Sequence, residues 1–483
     1  MRHPVINLNN EGRNLRVLAF IFFLLCSCLS IRAQKADFVV VAENHHDLRR
    51  TSGNPFFYLG DTAWELFHRL SLEDTEYYLK DRAQKGFTVV QAVAVAELDG
   101  VTEPNRDGRL PFVDKDPSRP DLDKNPGGMS YWDHVDRVLE MAAKNGITIG
   151  FLPTWGRWWH DEGQIYFNKE NAYAYGLFLG KRYKNADLIW ILGGDRNPEN
   201  ETQREIVRAL AKGLRDGDGH NHLISYHPGG GFGSSEFWND EDWIDLHMRQ
   251  NGHGGDFVQY AKTEKDYFLK PLRPVIDAEP LYEDHPLSFR AQELGYSTAA
   301  DVRRALYWDL MGGAAGHTYG HHSIWQMYEE GLRGPVNNPL MSWKEALSEP
   351  GASQMVLGRR LIESRPSALR VPCTDEALLV EGNSMKVPGS GRYHMAALKD
   401  SDGAWLMVYV PVGRSFTVRK SALPSGEVKA WWYDPRTGDA TSIGTLSGEN
   451  DQTFCPPTIG EALDWVLVLD RADKGYPAPG KSF

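Results

Sequence analysis

Short apolar runs recur along the chain from Asn54 to Trp325, with amphipathic segments between them. The runs are Phe56–Gly60, Thr88–Val93, Ile147–Pro153, Leu188–Gly193, His222–Tyr226, Trp243–His247, Pro274–Glu279 and Ala314–Tyr319. Short runs without polar alternation mark strands covered on both faces. Helix signals fall between them. Ser71 with Asp74 three residues on caps one helix, and Gly86 stops it. Ser130 with Asp133 opens another, which keeps Trp132, Val135, Leu139 and Ala142 at helical spacing and ends at Asn145-Gly146. Segments 168–184, 201–216 and 297–311 also read as helices, and 254–269 carries a weaker pattern. Eight strand–helix units predict an α/β fold, a (β/α)8 TIM barrel spanning residues 36–362. An open doubly wound sheet alternates similarly, but its first turn is usually glycine-rich. Here Leu59-Gly60-Asp61-Thr62 offers one glycine and an acid.

After Glu363 the texture changes. Arg365-Pro366 and Val371-Pro372 read as a linker. Short segments follow at His394–Leu398, Trp405–Tyr409, Ser415–Val418, Lys429–Tyr433 and Asp464–Leu469, separated by turns such as Asp402-Gly403. They predict a C-terminal antiparallel β-sandwich over residues 373–483. Residues 1–33 differ from both regions. Arg2, Arg13 and Arg16 precede the apolar run Val17–Ile31, and Ala33 follows. This is the pattern of a secretory signal peptide, too short for a membrane span of ~20 residues. Cleavage after Ala33 is favoured over a lipobox-like Leu25-Cys26-Ser27-Cys28, in which Cys28 would carry a lipid anchor. The expected location is therefore periplasmic or extracellular, with the membrane touched only through such an anchor.

Composition narrows the partners. The net charge of −12 and the lack of a Lys/Arg cluster disfavour nucleic acid. Four cysteines in 483 residues, two of them within 1–33, exclude a disulfide scaffold; Cys373 and Cys455 remain and pair only if close in space. Fifteen Trp and twenty Tyr suit flat sugar rings, although large cores also use aromatics. The expected partner is an oligo- or polysaccharide.

In a barrel of this kind the chemistry sits at the carboxyl ends of the strands. Those ends carry Asp61 and Trp64, Gln91 and Glu97, Trp155 with Trp158, Trp159 and His160, Asp195 behind Gly193-Gly194, and His227. Strand six ends in His247 and Arg249, strand seven in Asp277, Glu279 and Tyr282, and strand eight in His317, Tyr319, His321 and His322. No G-x-S-x-G elbow, H-E-x-x-H or C-x-x-C pair is present. The prominent pair is Asp195 with Glu279. Cleaving an acetal requires a proton on the leaving oxygen and a negative charge against the oxocarbenium-like carbon, so one carboxyl must be protonated and the other ionised. Asp61, Trp64, Gln91, Trp155, His227, His247, Tyr282, His317 and Tyr319 are the expected substrate-binding residues. Alternatives stay open: Asp195 as a cap for the helix near Glu201 or a partner of Arg196, Glu279 as a partner of Arg249, and the tryptophans as core. The histidines near strand eight lack a matching carboxylate set, and the loop Asp114–Asn125 lacks the Gly and Glu of a calcium loop. No metal and no cofactor is expected.

Four stretches carry a resemblance: Tyr58–Trp64, Lys85–Gln91, Trp190–Asp195 and Pro274–Glu283. They resemble the apiosidase-like glycosidases, glycoside hydrolase family 140 and its relatives, and the C-terminal region is similar to their collagen-binding-type domain. The resemblance implies a (β/α)8 barrel and a retaining two-carboxylate mechanism, with Asp195 as acid/base and Glu279 as nucleophile. It further implies release of apiose side chains from the pectin rhamnogalacturonan II, with Asp61, Trp64 and Gln91 at positions lining the sugar pocket. The competing expectation is a non-catalytic glycan-binding surface protein on the same barrel. No physical feature of the acidic C-terminal region argues for collagen; its expected role is to brace the barrel.

Overall fold

The computed structural model describes Met1 and residues 36–254, 259–332, 334–379 and 391–482. Apart from Met1, the leader read at 1–33, with Cys28, lies outside the described residues. Among the described residues no helix is long and apolar enough to cross a membrane.

Eight parallel strands form the barrel: β1 (Tyr58–Thr62), β2 (Val89–Val93), β3 (Thr148–Leu152), β4 (Leu188–Gly193), β5 (Ile224–His227), β6 (His247–Gln250), β7 (Val275–Glu279) and β8 (Gly316–Tyr319). The ladder runs from β5 through β4, β3, β2, β1, β8 and β7 to β6. Closure between β5 and β6 uses single bonds: Asp245 N–H donates to Ile224 O (2.9 Å) and Ser225 Oγ to Leu246 O (2.8 Å). All eight strands are buried along their length, as the apolar runs required.

The helices follow their sequence signals. They are α1 (Leu72–Gln84), α2 (Tyr131–Lys144), α3 (Lys169–Tyr183), α4 (Glu201–Asp218), α5 (Gln259–Tyr267) and α6 (Ala299–Met311), followed by α7 (Pro350–Glu363). Ser71 accepts from Asp74 N–H, and Ser130 and Asp133 form a reciprocal capping box. Asn200 caps α4 by accepting from Gln203 N–H, so Asp195 is not its cap. Between α3 and α4, Gly176 and Gly180 meet Gly213 and Gly217 so closely that an added Cβ would clash with backbone, which lets the two helices touch.

One strand departs from expectation. The apolar run Trp243–Leu246 is irregular chain, and β6 begins at His247, the residue expected to end it. His247 therefore stands at the amino end of its strand, away from the barrel mouth.

The C-terminal region holds two antiparallel sheets. The larger contains β9 (Arg370–Pro372), β10 (Ala396–Asp400), β11 (Trp405–Val410), β12 (Glu427–Tyr433), β13 (Ala440–Ser447) and β14 (Trp465–Arg471), ordered β9-β10-β11-β14-β12-β13. The smaller pairs Leu378–Leu379, Phe416–Val418 and Gln452–Phe454. Val371-Pro372, expected in the linker, lies in β9; as an edge strand, β9 tolerates a residue that cannot donate. Successive side chains of β11 and β14 serve different cores. Leu406, Val408, Leu467 and Leu469 face the small sheet, while Met407, Tyr409, Val466 and Val468 pack against Leu306, Tyr307 and Leu310 of α6. Cys373 is buried, Cys455 exposed, and both are free thiols.

Candidate active site

The end of β4 is built to present one acid. Gly193 and Gly194 take φ values of +90° and +86°, and Asp195 follows at +59°. A Cβ on Gly193 would stand 2.3 Å from His227 O, and one on Gly194 would stand 2.8 Å from Gly156 N. Only glycine fits this turn. Asp195 itself occupies the left-handed region, which aspartate tolerates better than most residues and which recurs where function fixes a side chain. Its Oδ2 accepts from Arg196 Nη1 at 3.1 Å, while Arg196 grips Asp161 with two further bonds of 2.9 and 3.0 Å.

Glu279 ends β7, where the pairing with β6 slips between Asp277 and Glu279. That irregularity lets the two acids face different ways: Asp277 joins a network with α6, while Glu279 faces the mouth. His253 Nε2 donates to Glu279 Oε1 at 3.0 Å. His227 Nε2 lies 3.1 Å from Oε2, close enough for an ion pair but off the line of a good hydrogen bond. His227 Nδ1 lies 3.4 Å from the Asp195 main-chain nitrogen, a weak contact that places the ring between the two residues. One imidazole thus touches both acids. Arg249 pairs with Asp266 (2.5 Å) and Glu236 (3.4 Å), so it is no partner of Glu279.

The two carboxyls are driven apart electrostatically. Burial, then the charge of Glu279, raises Asp195 above the usual carboxylate range, against the opposing pull of His227 and Arg196. Burial acts in the same sense on Glu279, but the bonds and charges of His227 and His253 overcome it and hold this carboxyl well below its usual value. The two environments push in opposite senses, Asp195 toward its acid form and Glu279 toward its carboxylate.

Both acids line a cavity of about 530 Å3 at the barrel mouth, a size ordinary for a small-molecule site. Trp64, Trp155, Tyr282 and Trp325 form aromatic walls, and Glu97, Gln250, Asn251 and Asn337 add polar groups. Trp64 and Trp155 stand 5.2 Å apart between ring centres, and Trp64 meets the His227 ring edge-on. Gly320 leaves room for the Tyr282 ring, since its Cβ would stand 2.0 Å from that ring.

Of the expected site residues, Asp195, Glu279, Trp64, Trp155 and Tyr282 line the cavity, and His227 lies against both acids. Five others do not line it. Asp61 points away from the axis toward α1, where Tyr78 OH donates to it (2.6 Å) and Arg82 pairs with it (3.2 Å). Gln91 faces the barrel interior below the cavity and donates to Ala278 O at 2.8 Å, pinning the peptide before Glu279. His247 is held between Ser234 and Asn239, and burial lowers its pKa to about 3. Tyr319 donates to Glu283 (2.5 Å). His317 donates from Nδ1 to Asp309 of α6 (2.8 Å). Trp158 and Trp159 are core residues whose indoles donate to Ala96 O and Gly193 O.

Asp277, Asp309 and His317 form the single group of ligand-type side chains close enough for an ion among the described residues. Burial, then the charge of Asp309, pushes Asp277 up to about 8, so it carries a proton at neutral pH, and Asn251 Nδ2 donates to it at 2.7 Å. The sequence missed His253, Gln250 and Asn251 because they follow a strand placed a few residues too early. Once β6 is known to end at Gln250, reading strand ends finds all three.

Two carboxyls facing one aromatic-walled cavity, one biased toward its acid form and one toward its carboxylate, can cleave an acetal. The family model described as "Apiosidase-like, catalytic domain" matches residues 42–368. The chain belongs to the apiosidase-like family. A second model, for the collagen-binding domain of a collagenase, matches residues 375–470. Among solved structures, one titled simply a glycoside hydrolase is similar at 30% identity and a TM-score of 0.81, over 90% of this chain and 97% of the other. A family 5 glycoside hydrolase from Bacteroides vulgatus is similar at 30% identity and 0.82, over 91% and 94%. No curated protein matches significantly. This apiosidase-like chain is thus a glycoside hydrolase acting on carbohydrate.

Proposed function

We propose that the protein is an exported retaining glycosidase that releases a sugar side chain from pectin of the rhamnogalacturonan II type, apiose being the favoured sugar. The observation that supports it best is the meeting of Asp195 and Glu279 in one cavity, in environments that bias Asp195 toward its acid form and Glu279 toward its carboxylate. Glu279 attacks the anomeric carbon and forms a glycosyl ester, while Asp195 gives its proton to the departing oxygen. Asp195, now ionised, takes a proton from the water that cleaves the ester, and both groups return to their starting states. Export rests on the leader pattern at 1–33.

The test is a digest. Rhamnogalacturonan II oligosaccharides treated with the mature protein should release a pentose, seen by mass spectrometry and absent with Glu279→Gln. Proton NMR of the first product should show the anomer of the substrate. The opposite anomer would exclude retention, and binding without any product would favour a non-catalytic glycan receptor.

His253 gives a pH prediction. Glu279 must be ionised to attack, so activity falls as pH drops through its pKa, which is held low. In His253→Ala one donor is lost and burial acts with less opposition, so that pKa rises. The acid limb of kcat/KM should move to higher pH, while the basic limb, set by Asp195, moves less. An unmoved acid limb in a folded variant would show that His253 does not control Glu279.

A further inference from the structure

Three carboxylates line the cavity, and the protein serves only two of them. Asp195 accepts from Arg196, and Glu279 from His253. The Glu97 carboxylate accepts no hydrogen bond and joins no ion pair among the described residues, although its main chain is tightly held. Glu97 O accepts from Arg157 Nη1 and from Asp99 N–H, both at 2.9 Å; on one side Trp158 Nε1 donates to Ala96 O (2.9 Å), and on the other Leu98 N–H donates to Glu65 Oε1 (3.1 Å). The backbone is fixed beside the cavity that this side chain lines, and among the described residues no side chain donates to its carboxylate, although the Arg196 charge acts on it. The side chain is half-buried, so water reaches the carboxylate, and a ligand hydroxyl entering the cavity can replace that water as its donor. Burial, then the charges of Asp195 and Glu65, pushes its pKa up to about 7.

We propose that Glu97 is a specificity-determining residue that accepts a hydrogen bond from a hydroxyl group of the bound sugar. The inference rests on the glycosidase reading above and adds a residue that neither retaining step requires. The bond is strongest to the ionised carboxylate, so sugar affinity should rise as pH rises through 7.

The experiment compares wild type, Glu97→Gln and Glu97→Ala on the rhamnogalacturonan II oligosaccharides, with KM and kcat measured between pH 5.5 and 8.5 and folding checked by thermal melting. KM should rise about 10- to 100-fold in Glu97→Ala, with a smaller change in kcat. Wild-type KM should fall as pH passes 7, and that dependence should vanish in Glu97→Gln. An active wild type whose KM and pH dependence survive both substitutions would overturn this proposal and leave the glycosidase reading intact. A wild type that releases no sugar would overturn both.

Discussion

Replacing Glu279 by Gln is expected to lower kcat/KM for oligosaccharide cleavage by at least about 10^4-fold, or ~5 kcal/mol of transition-state stabilisation. The amide keeps the size and the contact with His253 Nε2 but carries no charge and cannot form the glycosyl ester. Asp195→Asn should behave differently. With a sugar leaving group the lost proton should cost about 10^2- to 10^4-fold. An aryl glycoside with a nitrophenolate leaving group needs no such proton, so bond cleavage should survive. Hydrolysis of the ester then lacks its base, and the intermediate should accumulate as a burst of nitrophenol and a sugar-sized mass increment on the intact chain. Wild-type turnover by either amide variant on the oligosaccharide would remove the two-carboxylate mechanism. The same change at Asp61, locked between Tyr78 and Arg82 behind the barrel wall, bears on packing and not on the chemical step.

That contrast shows what the sequence could carry. β4 is legible because a strand buried on both faces must be apolar throughout, and Gly193-Gly194 announces a turn that only glycine makes. The strand-end rule locates Asp61 near the mouth but does not give its face; the period of two along β1 turns it toward α1. β6 fails for a deeper reason. His247, Arg249 and Gln250 are polar but buried, because Ser234, Asn239 and Asp266 satisfy the first two and the cavity receives the third. A strand whose polar groups find distant partners leaves no hydrophobic trace, and the apolar residues beside it draw the assignment away. The grip of His253 on Glu279 joins the loop after β6 to the end of β7 and is invisible until the barrel closes. β13 is missed for the opposite reason: it is an exposed edge with no apolar face.

Removing the C-terminal sheets, by ending the chain at residue 368, is expected to leave a barrel that does not stay folded and soluble. The continuous apolar character of β11 and β14 is the clue, since a sandwich with one wet face would alternate. Their second face is buried against α6 and α7: Tyr307 stacks on Tyr409 at 5.1 Å, and Leu306, Leu310, Met355 and Leu361 share that core. At ~1.5–3 kcal/mol for each large apolar side chain, exposing these five costs on the order of 10 kcal/mol, comparable with the whole stability of a typical domain, about 5–15 kcal/mol. Arg303 and Arg365 would also lose Asp464 and Asp470, partners at 2.6 and 2.8 Å. The damage should reach the active site, because the other side of α6 carries Asp309, which packs through Asp277 and His317 against β7 and β8. Sedimentation and thermal melting of the 36–368 chain would decide it. A monomer melting within a few degrees of the full chain would show that the sheets are an appendage, whereas aggregation or a large drop in melting temperature would show that the barrel needs the C-terminal sheets to cover α6 and α7.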